Sequence, residues 1–561
     1  MKMTGAQIIC ESLVKEGVEI IFGYPGGVVI PLYDSLSKYS QLRHILVRHE
    51  QGAAHAADGY ARATGKVGVC LATSGPGVTN LVTGIANAYL DSVPMVAITG
   101  QVATSFVGRD AFQEVDTTGI TLPITKHNYL VLDVGSLAKV VKEAFYLART
   151  GRPGPILIDV PRDVLVDEVE FRYPDAVDLP DYKPTFKGHP TQIKKAARLI
   201  NEAQCPLIIA GRGVNISGAY GELEQLAEVA QIPVVTTLLG TGCFPESHVL
   251  SFGMLGMHGM AYANMAVCDA DVLIAVGMRF DDRATGKVSS FAPQARIIHI
   301  DIDPAEIGKN VRVDVPIVGD VRDVLKELIK LVIKVEDTEW VERINGWRRE
   351  HPATDIRECD GLLPQFVLRQ IYEVTRGDAV VVTGVGQHQM WSAQHYWYDK
   401  PNSLISSGGL GPMGFGLPGS IGVKLGCPGS VVWCIDGDGS FQMTMQELAT
   451  VVQEGLGIKI GIINNGYLGM VRQWQQLFFE RRYVATPLSG PDFVKVAEAY
   501  GIPALRVQCK DEVVQAIEKA MGEDGPFLLD FVVEPEENVY PMVPPGAALA
   551  DLLEQPKEEV S

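Results

Sequence analysis

The chain has 561 residues, which at roughly 100–200 residues per domain is enough for about three or four domains, each able to bury its own core. Hydrophobic residues make up 47% and charged residues 20%, an ordinary globular balance far from the charge-rich, apolar-poor profile of disorder. Lys plus Arg number 48 against 67 Asp plus Glu, a net charge of −19, which repels nucleic-acid backbones and anionic membrane surfaces alike.

The N-terminus has no apolar core of a signal peptide, and no 18-residue apolar span occurs. The nine cysteines are scattered and never spaced C-x-x-C, so neither a disulfide framework nor a zinc knuckle is expected. A cytoplasmic enzyme with no membrane and no nucleic-acid partner is the expectation.

Short β-branched apolar runs alternate with helical patterns, the rhythm of doubly wound parallel sheets. In the first third, strands are predicted over 19–22, 67–72, 95–99 and 156–160, with helices over 52–64 and 77–90. A proline-bearing linker over 171–190 follows. The middle third repeats the pattern with strands over 207–210, 234–237, 272–276 and 297–300, closing near Leu331 before a charged connector of helical character over 335–358. The last third has strands over 379–383, 431–435, 459–463 and 527–533, and a proline-rich but apolar tail, 537–553, expected to pack against the rest. The α/β chain is thus read as three domains, 1–170, 190–335 and 362–548, each with a ligand site at the carboxyl ends of its strands.

The strongest motif is Gly437-Asp438-Gly439-Ser440 after one apolar run, followed 24 residues later by Asn464-Asn465 after the next. Both clusters fall at strand ends. An aspartate, a neutral amide and a backbone carbonyl form an all-oxygen set suited to Mg²⁺, which takes its remaining ligands from phosphates and water. Gly437 and Gly439 let the backbone approach a diphosphate closely. Gly409–Gly414 also fits G-x-G-x-x-G, a weak dinucleotide signal interrupted here by Pro412. In the middle third, Gly211-Arg212-Gly213 and Gly277-Met278-Arg279 end strands. Glycines plus arginines there suit a diphosphate, and the strand-end carboxylate Asp301 suits sugar hydroxyls; a surface ion pair is the plainer alternative.

The Asp438/Asn465 pair resembles the signature of thiamin diphosphate (ThDP) enzymes, which also need a glutamate in another domain. Arg48-His49-Glu50-Gln51-Gly52 supplies it. A carboxylate on the coenzyme's aminopyrimidine ring promotes the imino form that removes the thiazolium C2 proton; Glu50 would be that group. Further segments, among them GYPGG (23–27), AFQEVD (111–116), GMLGMHG (253–259), RFDDRATG (279–286), VGQHQMW (385–391) and NNGYLGMVRQWQQLFF (464–479), make the chain similar to the FAD-containing catalytic subunits of acetohydroxyacid (acetolactate) synthase from about Gly5 to Ala548.

That resemblance implies three doubly wound domains: pyrimidine-binding, FAD-binding and diphosphate-binding. It implies ThDP contacts at Tyr24, Pro25, Gly26, Glu50, Thr73, Asn80, Val385, Gly386, Gln387, His388, Gly411, Met413, Gly437, Asp438, Gly439, Ser440, Asn465, Tyr467, Leu468, Gly469 and Met470. Met413 would be an apolar wedge beneath the coenzyme, and Mg²⁺ would be held by Asp438, Asn465 and the Tyr467 carbonyl.

FAD contacts are implied at Arg152, Gly211, Arg212, Gly213, Thr237, Leu238, Leu255, Gly256, Met257, His258, Gly277, Arg279, Asp281, Arg283, Asp301, Ile302 and Asp320. The flavin would be structural, since the reaction has no net redox change. Glu50, Gln113 and Arg283 are the implied catalytic residues, and Phe112, Gln113, Met257, Arg283 and Trp474 the substrate pocket, with Arg283 on the carboxylate of the second 2-oxo acid.

The implied reaction decarboxylates pyruvate and joins its two-carbon unit to pyruvate or 2-oxobutanoate, the first common step towards branched-chain amino acids. A homodimer or homotetramer with sites between subunits, and a separate small regulatory subunit, are implied as well. Pyruvate oxidase or glyoxylate carboligase chemistry is the alternative. His395, seven residues beyond His388, reads as a satisfied structural histidine. Val28 and Pro412 depart from the family's usual residues, which bears on pocket shape and not on the reaction.

Overall fold

Three six-stranded sheets, every neighbour pair parallel, follow one another along the chain in a computed structural model that describes residues 2–336 and 339–555. The first sheet runs, in space, Arg43–Leu46, Ile20–Gly23, Gly68–Ala72, Met95–Gln101, Pro155–Pro161, His127–Leu130. The second runs Ser251–Met254, Val234–Thr236, Pro206–Ala210, Val272–Val276, Arg296–Asp301, Val315–Val318. The third runs Leu404–Ile405, Ala379–Thr383, Val431–Gly437, Ile458–Asn464, Phe527–Val532, Ala504–Val507. Counted along each domain, the first and third share the order 2-1-3-4-6-5, and the middle one is 3-2-1-4-5-6.

All twelve predicted strands form; of the eight that were not predicted, six are the two edges of each six-stranded sheet, and Lys2–Thr4 and Glu168–Glu170 form a small antiparallel pair of their own. The physical reason is burial. Central strands such as Val272–Val276 and Gly68–Ala72 are covered on both faces and read as continuous apolar runs. Edge strands such as Arg43–Leu46 and Ala504–Val507 are half-exposed and carry charge, which hides their pattern and also blunts edge pairing.

The outer domains are fused through one core. The helix Glu50–Thr64, capped by His49 Nδ1 accepting the Gln51 amide at 3.1 Å and closed by left-handed Gly65, lies against the helix Gly416–Gly426. A Cβ at Gly422 would strike the Ala56 carbonyl, so glycine is what permits this approach. Ala53, Ala57 and Ala61 share a buried cluster with Leu417, Ile421 and Val423.

Residues 171–189, inside the predicted linker, contain no helix or strand before the helix Pro190–Glu202. In the second connector Asp337 and Thr338 lie outside the described residues; Glu339–Glu350 is helical, and its Trp340 is buried on the central domain, donating Nε1–H to the Pro206 carbonyl at 3.0 Å. The tail packs as expected: Val543 and Leu549 enter the central core, and the Val543 amide donates to the Met257 carbonyl at 2.7 Å. All nine cysteines are free thiols. No helix among the described residues is long and apolar enough to cross a membrane.

Candidate active site

In the third sheet the chain leaves Ala379–Thr383 for one edge and returns as Val431–Gly437 on the other side, opening a crevice at the strands' carboxyl ends. Val385–His388 enters it from one strand and Gly437–Ser440 from the other. Gly437 pairs in register with Ile463 on the next strand, so Asp438 and Asn465 emerge side by side. Together with Val385, Gly386, Gln387, His388, Met413, Gly437, Gly439, Ser440, Tyr467, Leu468, Gly469 and Met470 they line a cavity of about 70 Å³. Gly411 lies on the larger neighbouring cavity instead.

The donor chemistry suits a hard cation. Burial pushes the Asp438 carboxyl up to about 7, against the backbone N–H groups that favour its charge, so a cation would be welcome beside it. Asn465 Oδ1 accepts the Tyr467 amide at 3.1 Å. His388 is buried and held neutral, its pKa driven down to about 3, with Nε2 lacking a hydrogen-bond partner. A Cβ at Gly437 would come within 2.7 Å of His388 Nδ1, so a side chain there would close the crevice that a diphosphate needs. His395 is buried and lines neither cavity, the place of a structural histidine, and its Nδ1 has no hydrogen-bond partner.

The first sheet has the same switch point, between Ile20–Gly23 and Gly68–Ala72, and there Gly26, just after Tyr24 and Pro25, lies against the Thr73 side chain. Glu50 opens its helix nearby, 8% exposed, with Asn80 Nδ2 donating to Oε2 at 2.9 Å. Glu447 of the third domain accepts the amides of Arg48 and His49 at 2.9 and 3.1 Å, anchoring the turn before Glu50. The hydroxyls of Thr73 and Ser74 are buried without partners, acceptors and donors left for a polar ring. Neither described cavity includes this cluster. Phe112 is 89% exposed, and Gln113, in a left-handed conformation, backs onto Gly75. Glu50, Gln113 and Phe112 line neither the cavity at Asp438 nor the larger one beside it.

The central sheet's switch point lies between Pro206–Ala210 and Val272–Val276, at the mouth of a cavity of about 540 Å³. Fifteen of the seventeen residues expected around FAD line it. The exceptions are glycines behind the wall: a Cβ at Gly211 would strike the Gly277 carbonyl, and one at Gly256 the Arg283 carbonyl. Gly213 and Gly277, the latter at φ 59°, cross so closely that a Cβ on Gly213 would lie 2.6 Å from the Gly277 Cα. Arg212 is half-buried in the cavity wall, its pKa pushed down to about 10 by burial and by Arg62, and its Nε has no partner; an anion would relieve both. Burial raises the Asp301 carboxyl to about 7, leaving it ready to share protons with hydroxyls. Arg152 is engaged already, donating to Ser92, Asp303 and Glu306 at 2.8, 3.2 and 2.7 Å.

At the far end of this cavity Met257, Arg283 and Trp474 meet. The Arg283 guanidinium stands 5.9 Å from the Trp474 ring centre and 3.3 Å from Met257 Sδ. Val385, Gly386 and Met470 line both cavities, so the two sites adjoin. Leu90, Asp91 and Ser92 of the first domain and Gly408 to Leu410 of the third also line the large cavity. Sequence reasoning missed them; the glycine run before Met413 was the available signal.

The thiamine pyrophosphate enzyme family matches in all three of its parts: the N-terminal TPP-binding domain over residues 3–120, the central domain over 193–328 and the C-terminal TPP-binding domain over 384–531. The chain is 52% identical to the acetolactate synthase large subunit of Mycobacterium tuberculosis, covering 98% of this chain and 91% of that one. It is 52% identical to the large subunit of Corynebacterium glutamicum, covering 98% and 90%, and 50% identical to the acetolactate synthase of Arthrospira platensis, covering 98% of each. The chain belongs to the acetolactate synthase large-subunit family of thiamine pyrophosphate enzymes.

In this acetolactate synthase homologue the G-x-G-x-x-G stretch is no dinucleotide fingerprint. It lies in the connection from the edge strand Leu404–Ile405 to the helix Gly416–Gly426, and its entry is held by Asp91, which accepts the amides of Gly408 and Gly409 at 3.1 and 2.7 Å.

Proposed function

We propose that the chain is an acetolactate synthase catalytic subunit that binds ThDP through Mg²⁺, holds FAD in the central cavity, and joins the two-carbon unit of pyruvate to pyruvate or 2-oxobutanoate. The observation that carries this reading is the placement of Asp438 and Asn465 on adjacent strand ends, in a crevice adjoining a cavity that ends at Arg283 and Trp474. ThDP, when bound, supplies the carbon nucleophile and the electron sink for loss of CO₂.

The chain's own residues set the conditions. Asp438, Asn465 Oδ1 and the Tyr467 carbonyl would hold the metal, and the crevice lined by glycines takes the phosphates. Asn80 occupies Glu50 Oε2, leaving Oε1 to take and return the proton of the aminopyrimidine. Arg283 is a fixed fork for the carboxylate of the second 2-oxo acid. Trp474 and Met257 form the apolar wall that sorts methyl from ethyl side chains. Arg212, Asp301 and the Gly213–Gly277 crossing would grip FAD.

Glu50 lines neither cavity beside Asp438, which supports a homodimer or homotetramer in which two copies supply one site. The exposed apolar side chains Phe112, Met443, Val471 and Leu410 suit burial in that contact. The large-subunit names of the relatives support a separate small regulatory chain. A cytoplasmic setting is the reading that goes with an acetolactate synthase, the name the relatives carry.

The test is incubation with pyruvate, ThDP, Mg²⁺ and FAD, with acetolactate measured as acetoin after acid treatment. Formation of acetolactate with the flavin remaining oxidised is expected. Absence of carboligation, or stoichiometric flavin reduction as in a pyruvate oxidase, would sink the reading.

A further inference from the structure

Asn465 is half of the metal pair, and an amide can coordinate a cation only through its oxygen. What decides which end of this amide faces the crevice is a file of buried amides leading away from it. Asn465 Nδ2 donates to Gln387 Oε1 at 3.1 Å. Gln387 Nε2 donates in turn to Gln473 Oε1 at 2.8 Å and to the Glu537 carbonyl at 3.0 Å. Gln473 Nε2 donates to the Val539 carbonyl at 3.0 Å, and Gln473 Oε1 accepts the Val539 amide at 2.9 Å.

Each link has one self-consistent orientation. The backbone of Val539 presents a fixed donor and a fixed acceptor, so Gln473 cannot flip without losing both bonds. With Gln473 Oε1 fixed and the Glu537 carbonyl beside it, Gln387 must turn Nε2 towards them and Oε1 towards Asn465. Asn465 must then spend Nδ2 on Gln387, leaving Oδ1 on the side of the Tyr467 amide, 3.1 Å away. Gln387 is 3%, Gln473 0% and Asn465 8% exposed, so water offers little alternative partnership, and an inverted amide would bury unsatisfied polar groups.

We propose that Gln473 is a positioning residue: through Gln387 it carries the polarity of the Val539 backbone, in the C-terminal tail, to the metal-binding oxygen of Asn465. This rests on the reading of Asp438 and Asn465 as the Mg²⁺ pair. It makes the tail, which also contacts Met257 through Val543, part of the metal site's outer support.

The probe is Mn²⁺ with ThDP and the full-length protein, its affinity read by electron paramagnetic resonance of the free ion, alongside thermal melting of the metal-free protein. Gln473→Leu is expected to weaken Mn²⁺ binding about 10–100-fold, and to have less than a threefold further effect once Asn465→Ala is present. Gln473→Glu, which keeps the acceptor for Val539 and Gln387 but loses the donor, should restore part of the affinity. Equal loss from Gln473→Leu with and without Asn465→Ala, or unaltered Mn²⁺ affinity in a folded Gln473→Leu protein, overturns the relay. Should Gln473→Leu not fold, Gln387→Leu read by the same cycle decides it. Failure of Asp438→Ala and Asn465→Ala to alter Mn²⁺ affinity would instead overturn the metal-site reading itself.

Discussion

The side-chain amide of Asn80 donates to Oε2 of Glu50 at 2.9 Å, while the turn before Glu50 is anchored by Glu447 from another domain. A carboxylate fixed by one neutral donor keeps its second oxygen for proton exchange. Glu50→Gln removes that capacity and little else, because Asn80 can still donate to the new carbonyl. The rate of acetolactate formation should fall about 10²–10⁴-fold, with ThDP affinity and melting temperature close to those of the parent. An undiminished rate would remove Glu50 from the mechanism.

Arg283 and Trp474 form one unit at the end of the large cavity, the guanidinium over the indole. Trp474→Leu should open the apolar wall and erode any preference for 2-oxobutanoate over pyruvate. A methylene in a fitted pocket is worth about 1–3 kcal/mol, or roughly 10–200-fold. Competition between the two acids, with both products quantified, checks this. A preference that survives the substitution would place the selecting surface elsewhere, for instance on Phe112 of another copy.

How much of this was legible in the sequence depended on burial. Val272–Val276 and Val431–Gly437 announce themselves because both faces need apolar residues. Leu404–Ile405 does not, being only two residues long, and Ser251–Met254 does not, because serine and glycine break its apolar run although most of it is buried. The candidate site residues at central strand ends, Asp438, Arg212 and Gly277, were legible because strand and motif coincide. Asp91 was missed because its role lies in tertiary contact, where it reaches across to the amides of Gly408 and Gly409. The amide file from Val539 to Asn465 has no local pattern at all, since it joins residues 66–86 positions apart.

Arg62 joins the first domain to the third from a buried position. It pairs with Asp58 on its own helix, with Asp91 Oδ2 at 2.8 Å, and donates to the Ser406 carbonyl at 2.8 Å. Arg62→Leu would leave two buried carboxylates without their cation, a change that costs about 3–5 kcal/mol. The denaturation midpoint should drop accordingly. Because Asp91 also anchors the loop leading to Met413, FAD and ThDP affinity should fall with it. A stable variant with parental cofactor affinity would show the triad to be dispensable.

Asp159 offers a pH test remote from both cavities. It is 1% exposed on the strand Pro155–Pro161, accepting from Thr99 Oγ1 at 2.7 Å and Gln101 Nε2 at 3.0 Å. Burial pushes its carboxyl up to about 7, outweighing those two donors. In the unfolded chain the ordinary value is about 3.9, so between these pH values the folded state holds a proton that the unfolded state has lost. Its contribution to stability is therefore complete below about pH 4 and is lost as pH rises through about 7. For one such group this amounts to roughly 3 kcal/mol between pH 5 and 8. Asp159→Asn, which can still accept from Gln101 and can donate to Thr99, should flatten the fall in melting temperature across that range and leave the variant more stable than the parent at pH 8. Parallel stability curves for the two proteins would mean that Asp159 is ionised throughout.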